Sequence, residues 1–198
     1  MQTSYIKILN FGGVVMYCPE EIEGVLLSEE EIKAKVSELG ALLTREYAGK
    51  NPLFVCVLKG SVVFFADLVR EMKCPLEIDF LRASSYGSGT VSSGSVHLSV
   101  GSNIDMRGRH VVIVEDIMDT ARTLFALKNE LLKREPASLK IVTLLDKPSR
   151  RVVSGFSADY EGFAIDDLFV VGYGLDCGEK FRNLPYIGIL RQQGTYCT

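Results

Sequence analysis

The stretch of this 198-residue chain richest in reactive groups is VVIVEDIMDTARTL, Val111 to Leu124. An apolar run leads into Glu115, Asp116 and Asp119, and a segment of helical character follows. A strand running into a helix offers bare backbone N–H groups to an anion, so carboxylates at that junction ask for a ligand with two chemistries. Ionised, Glu115 and Asp116 only accept hydrogen bonds, and their natural partners are hydroxyls or a hydrated Mg²⁺. Thr120, Ala121, Arg122 and Thr123 open the helix, where hydroxyls, N–H groups and a guanidinium donate to phosphate. A sugar phosphate satisfies both halves, with its diol toward Glu115 and Asp116 and its phosphate in the turn from Thr120 to Thr123. The plainer alternative is a helix start with Asp119 as N-cap and acids set against the helix dipole. It leaves the density of acids after a fully apolar strand unexplained.

A second strand end carries VLKGS, in which Lys59 and Gly60 put a cation beside an approachable backbone. That suits a phosphate or pyrophosphate, although Lys-Gly turns are common.

The elements that must position these residues follow from periodicity. Ser28 and Glu31 form a capping box, and Ile32, Val36, Leu39 and Leu43 continue at helical spacing to about Ala48. LFVCVL reads as a buried strand, and Val62 to Met72 as a helix with Phe65, Leu68, Val69 and Met72 on one side. LEIDFL is strand-like, RASSYGSGTVSSG from Arg82 to Gly94 reads as a mobile loop, and SVHLSV as the returning strand of a hairpin. HVVIVE is a strand, the segment from Glu115 to Thr123 a loop, and a helix runs from about Thr120 to Glu135, closed by Pro136. LKIVTLLD is a further strand, followed by Lys147, Pro148 and the basic pair Arg150 and Arg151. ADYEGFAI, LFVVGYGLD and YIGIL are short and β-like. Strands alternating with helices predict an α/β fold, a mainly parallel twisted sheet flanked by helices on both faces, with a small irregular hood.

The totals restrict the partners. A 47% apolar content suffices for one compact domain, and a net charge of −3 argues against a general nucleic-acid binder. No apolar run approaches the roughly 20 residues that cross a bilayer, and the N-terminus lacks the pattern of a signal peptide. The five cysteines are scattered, without C-x-x-C spacing, and are expected to be reduced thiols. With no histidine or cysteine cluster, metal chemistry would rest on oxygen ligands, which points to Mg²⁺ rather than zinc. The C-terminal TYCT is not a peroxisomal S-K-L signal, so the cytoplasm is the expected compartment, with a glycosome-like organelle left open.

VVIVEDIMDTART resembles the phosphoribosyl pyrophosphate (PRPP) signature of type I phosphoribosyltransferases. The chain as a whole resembles the hypoxanthine-guanine phosphoribosyltransferases of bacteria and trypanosomatids. The motifs that carry this are LLSEEEI, VLKGS, SSYGSGTVSSG, VEDIMDTART, LLDKPSRR, FVVGYGLD and FRNLPYIGIL, in that order. The resemblance implies one phosphoribosyltransferase domain over residues 1–198. Its core would span about 24–165, a hood would come from the N-terminal segment and about 166–198, and a flexible lid loop would span about 82–95.

The resemblance also assigns roles. Glu115 and Asp116 would bind ribose, Asp119 would be the acid/base group beside N7 of the purine, and Asp119 to Thr123 would hold the 5′-phosphate. Ala121 stands where the family commonly has glycine, which puts the loop's geometry in question. Lys59, Gly60 and Arg182 would bind pyrophosphate, with a cis peptide expected between Leu58 and Lys59. Lys147, Phe169, Val170 and Asp176 would form the purine site, with Lys147 donating to the exocyclic oxygen. Glu115, Asp116 and Asp176 would serve Mg²⁺, and Ser85 and Tyr86 the lid. The implied reaction is purine salvage: Mg²⁺-dependent transfer of the phosphoribosyl group of PRPP to hypoxanthine or guanine, with xanthine left open, by a homodimer or homotetramer. The rival reading is a PRPP-sensing regulator on the same fold, which predicts a basic face or an added module. A nicotinamide-dependent oxidoreductase ranks last, for want of a G-x-G-x-x-G at the first strand-helix turn.

Overall fold

A computed structural model describes residues 7–11, 14–85, 96–100 and 105–191. The chain divides into two compact units, Ala34–Asp167 and, together, Met1–Lys33 with Leu168–Thr198.

In the second of these, β1 (Lys7–Phe11) and β2 (Val14–Cys18) form an antiparallel hairpin, and β3 (Ile22–Leu27) follows. None of the three is foreseen from the sequence, because each is a short run with no clear alternation. Helix α1 (Glu29–Tyr47) starts where the capping box places it. The Ser28 N–H donates to Glu31 Oε2 at 2.8 Å, and the Glu31 N–H to Ser28 Oγ at 3.2 Å, so two orphan donors of the first turn are satisfied. Ile32, Val36, Leu39 and Leu43 are all buried, as their spacing predicts.

The larger unit is a sheet with helices against it. β4 (Leu53–Leu58) leads into α2 (Val62–Glu71), then β5 (Glu77–Ser85), β6 (Val96–Val100) and β7 (His110–Met118). Helix α3 (Arg122–Leu132), β8 (Ser138–Asp146), a 3-10 turn at Pro148–Arg150 and β9 (Tyr160–Ala164) complete it. The strand order is β6-β5-β4-β7-β8-β9. The five strands from β5 to β9 are mutually parallel and only β6, at the edge, is antiparallel to its neighbour β5. Alternation sorts the core. Leu53, Val55, Val57, Val111 and Ile113 pack with Leu124, Leu127 and Leu131 of α3, while Phe54 of the opposite face meets Tyr47 of α1 edge to face at 6.2 Å. At Gly40 a side chain would strike Glu71 Cβ at 2.5 Å, so α1 and α2 approach as closely as a glycine permits.

Several boundaries differ from expectation. β5 continues through Ser85, so Arg82 to Ser85, assigned to the loop, are ladder residues paired with β6. Tyr86 and the rest of the expected lid up to residue 95 lie outside the described residues. β7 continues through Met118, so Glu115 and Asp116 stand on a strand rather than in a loop, because β8 pairs with it as far as Met118 and Asp146. Helix α3 is shorter at both ends than the run from Thr120 to Glu135, because Ala121, at φ 65°, is not helical and Glu135, at φ 54°, cannot be. On α2, Phe64 is buried with Phe65 and Leu68, a position the single-stripe reading omits.

β10 (Val170–Val171) and β11 (Ile187–Leu190) join β3 in a three-stranded antiparallel sheet of order β10-β11-β3. Ile22, Val171, Leu184, Tyr186 and Leu190 form its core with Cys18 and Cys177. Gly172, at φ 102°, has the Tyr186 carbonyl 2.1 Å from where a Cβ would stand, so only glycine fits. Cys177 is disulfide-bonded, which corrects the expectation of a reduced thiol there; Cys18, Cys56 and Cys74 are free. No helix among the described residues is long and apolar enough to cross a membrane.

Candidate active site at the strand switch point

The chain leaves β4 through α2 toward one edge of the sheet and leaves β7 through α3 toward the other. The neighbours β4 and β7 therefore flank the switch point, where open α/β sheets place their ligands. Their ladder runs only from Leu53 and Val111 to Cys56 and Val114. Beyond it the strand ends part, and a cavity of about 240 Å³ opens, lined by every residue from Glu115 to Ala121, by Thr123 and Leu124, and by Val57 and Leu58. Parallel pairing thus brings the acidic stretch and the end of the VLKGS strand into one place.

One end of this cavity is acidic. Asp116 is buried, and its Oδ1 accepts the Ile117 N–H at 2.7 Å. Burial first, and then the neighbouring Asp116 charge, hold the Glu115 carboxyl well above the usual carboxylate range. Gly60 closes in from β4: a Cβ on it would lie 1.7 Å from Asp116 Oδ2. The Leu58–Lys59 peptide is cis, the form the resemblance implies, and Lys59 itself is exposed.

The other end is the start of α3. Ala121 is the N-cap residue, in the left-handed region at φ 65° and ψ 0°, with no side-chain cap and no acid in the first helical turn. Asp119 is therefore not the N-cap, which removes the structural alternative raised for it. Phe125 donates the first intrahelical bond to the Ala121 carbonyl at 2.9 Å, and the Arg122 N–H makes only a long 3.5 Å contact with Thr120 Oγ1. The N–H groups of this turn are left to an anion. Arg122 and Thr123 are exposed, and of the two only Thr123 lines the cavity.

Lys147 stands at the end of β8. It is buried, its N–H donates to the Met118 carbonyl at 3.0 Å, and its Nζ lies 3.7 Å from Asp167 Oδ1. Arg150 Nε is 3.1 Å from Asp119 Oδ1, and Arg151 donates to the Asp119 carbonyl at 2.9 Å and pairs with Asp146. Arg150, Arg151, Asp146 and Asp167 carry no role in the sequence reading, since a basic pair after a strand has the pattern of a solvated turn.

Phe169, Val170, Asp176 and Arg182 belong to the other unit. Phe169 is half exposed, against the core position its apolar surroundings suggest, and its carbonyl accepts the Leu190 N–H at 2.9 Å. Val170 is buried. Arg182 donates to the Gly174 carbonyl at 2.8 Å and pairs with Asp176 at 2.8 Å and Glu179 at 3.2 Å.

A largely parallel sheet with an acidic strand end and an uncapped helix start at its switch point defines a type I phosphoribosyltransferase fold. The family model described as "Phosphoribosyl transferase domain" matches residues 25–177, and the chain belongs to that family. It is 54% identical to a hypoxanthine-guanine phosphoribosyltransferase of Lactococcus lactis, over 87% of this chain and 93% of that one. Its identity to the protein of the same name in Streptococcus pneumoniae is 51%, over 87% and 96%. Among solved structures, a hypoxanthine phosphoribosyltransferase from Staphylococcus aureus superposes with a TM-score of 0.82 at 46% identity, over 86% of this chain and 92% of that chain. A hypoxanthine-guanine phosphoribosyltransferase from Bacillus anthracis, with a HEPES molecule in its active site, gives 0.82 at 46%, over 86% and 100%.

Proposed function

We propose that this protein transfers the 5-phosphoribosyl group of PRPP to hypoxanthine or guanine, forming IMP or GMP and releasing pyrophosphate. The observation that carries the reading is the cavity between β4 and β7, which sets paired carboxylates at one end and open helix N–H groups at the other. The names of relatives sharing about half its residues give the reading its substrates.

In this reading Glu115 and Asp116 accept from the ribose hydroxyls, and the turn from Asp119 to Thr123 donates to the 5′-phosphate. A purine nitrogen bonds to C1 as the bond from C1 to pyrophosphate breaks, and Asp119 takes the proton the purine loses. The acidic end of the cavity favours the positive charge that builds on the ribosyl group. Lys147 donates to the 6-oxo group, which adenine lacks, and an unanswered lysine would penalise the wrong base. Lys59, Gly60 and Arg182 attend the pyrophosphate, Phe169, Val170 and Asp176 the base, with Asp176 also serving Mg²⁺, and Ser85 and Tyr86 the lid.

The donor set fits Mg²⁺. Two crowded carboxyl groups, one of them shifted upward by burial and by its neighbour's charge, are a pair that a hard divalent cation would relieve. Among the described residues no group of three or more protein ligands occurs, so Glu115 and Asp116 would share the ion with substrate and water oxygens, as Mg²⁺ prefers. When bound, it screens the charge of the departing pyrophosphate.

The experiment is nucleotide formation from PRPP and Mg²⁺ with hypoxanthine, guanine, xanthine and adenine offered separately. Product from the oxopurines and none from adenine is expected, and no product from any base, with PRPP still bound, would favour a PRPP-sensing regulator. Asp119→Asn should lower kcat by about 10² or more while moving the KM for PRPP little; unchanged turnover would remove its acid/base role. A homodimer or homotetramer belongs to the same reading, and sedimentation decides it.

A further inference from the structure

The residue given the base and the residue given its proton are joined by a chain of charges. Lys147 Nζ lies 3.7 Å from Asp167 Oδ1, Asp167 Oδ2 lies 3.6 Å from Arg150 Nη1, and Arg150 Nε lies 3.1 Å from Asp119 Oδ1. The backbone repeats the connection. The carbonyls of Met118, Asp119 and Thr120 accept, in order, from the Lys147 N–H at 3.0 Å, the Arg151 guanidinium at 2.9 Å and the Val152 N–H at 3.3 Å. Every carbonyl from Met118 to Thr120 is thus held by the segment that carries Lys147.

We propose that Arg150, with Asp167, is a positioning residue that orients Asp119 and Lys147 as one unit. The proposal rests on the reading that Lys147 receives the purine oxygen and Asp119 the purine proton. Stability does not account for the chain of charges, because Arg150, Asp119 and Asp167 are each about half exposed, and such pairs contribute little in water. Geometry does account for it. A guanidinium is a rigid planar fork, and that of Arg150 hydrogen-bonds Asp119 through Nε while its Nη1 stands in ion-pair range of Asp167. Both carboxylates are thus referred to one planar group, which an ammonium on a flexible stem does not provide. At 3.7 Å the contact of Lys147 with Asp167 is an ion pair and not a hydrogen bond, so the lysine is steered while its donors remain available to a purine oxygen. Asp119 keeps one carboxylate oxygen on Arg150, which leaves its other oxygen to face the base. Purine O6 and N7 lie on one edge of the ring, so the two groups that meet them need a common frame.

The test compares Arg150→Ala, Arg150→Lys, Asp167→Asn and the double variant Arg150→Ala with Asp167→Asn, each in the full chain with hypoxanthine and PRPP. Arg150→Ala is expected to lower kcat about tenfold and raise the KM for hypoxanthine several-fold, while the KM for PRPP stays within about twofold. Arg150→Lys should recover only part of the loss. Asp167→Asn should add little to Arg150→Ala, because the two act through one linkage. Wild-type kcat and hypoxanthine KM in Arg150→Ala would overturn the proposal, as would a PRPP KM rising in step, or losses that simply add. These results all require an active wild type, so they are distinct from a wild type that makes no nucleotide, which would overturn the functional reading and this proposal with it.

Discussion

Glu115 and Asp116 are consecutive on β7, and a strand sends consecutive side chains to opposite faces, yet both line the cavity. They do so because β4 has parted from β7 at that level, which crowds the two carboxyl groups together and sets Gly60 against Asp116. Two predictions belong to this crowding. Glu115 titrates above its unfolded value, so its contribution to stability is complete below about pH 4.5 and is lost as pH rises through the higher folded value. Glu115→Gln should therefore match the wild type near pH 4 and melt about 2 to 4 °C higher at pH 8 without ligand, and equal melting curves at both pH values would contradict the burial argument. Gly60→Ala puts a methyl where Asp116 Oδ2 stands, so it should raise the KM for PRPP about tenfold or more at a stability cost of about 1 to 3 kcal/mol, read by kinetics and denaturant melts. At this scale the sequence exposes the acids, whose density after an apolar strand has no ordinary explanation. It hides Arg150 and Asp167, because a charge that orients a neighbour is indistinguishable in one dimension from a charge that faces water.

Among the elements, the start of α3 departs furthest from a routine helix. Ala121 adopts a left-handed conformation that costs a non-glycine residue about 1 to 2 kcal/mol, and its methyl is buried. Glycine would remove that strain but would also lose about 0.8 kcal/mol of methyl burial and add unfolded-state entropy. Ala121→Gly should therefore leave the melting temperature within about 2 °C and kcat within about twofold. Ala121→Val, whose branched side chain is a poor fit to this region, should cost about 2 kcal/mol or more in a denaturant melt; a neutral valine would mean the turn is less constrained than its dihedrals imply. Elements with a strong apolar pattern are legible to within a residue: β4 is LFVCVL as read, and α1 ends at Tyr47 against an expected end at about Ala48. The ends of β5, β7 and α3 are not, because a strand lasts as long as its neighbour keeps pairing, and the neighbour's reach is a tertiary fact.

At the scale of the whole molecule, the parallel sheet is legible because helices alternate with fully apolar strands, and only such a sheet buries both faces. The sheet of β10, β11 and β3 is not, since its strands are short and far apart in the chain. A ligand that binds only the folded chain stabilises it, so PRPP with Mg²⁺ at about 100 times its dissociation constant should add about 2.7 kcal/mol, seen as a rise of several degrees in the melting temperature. No rise with PRPP, with or without Mg²⁺, would count against the cavity as its site. The pairing of β3 with β11 has a consequence during synthesis. About 160 residues separate the two strands, so on a ribosome adding about 5 to 20 residues per second β3 emerges some 8 to 30 s before its partner exists. Throughout that interval its backbone edge is open to any strand that passes, and a nascent-chain chaperone that shields residues 22–27 would guard the part of the protein made early and finished last.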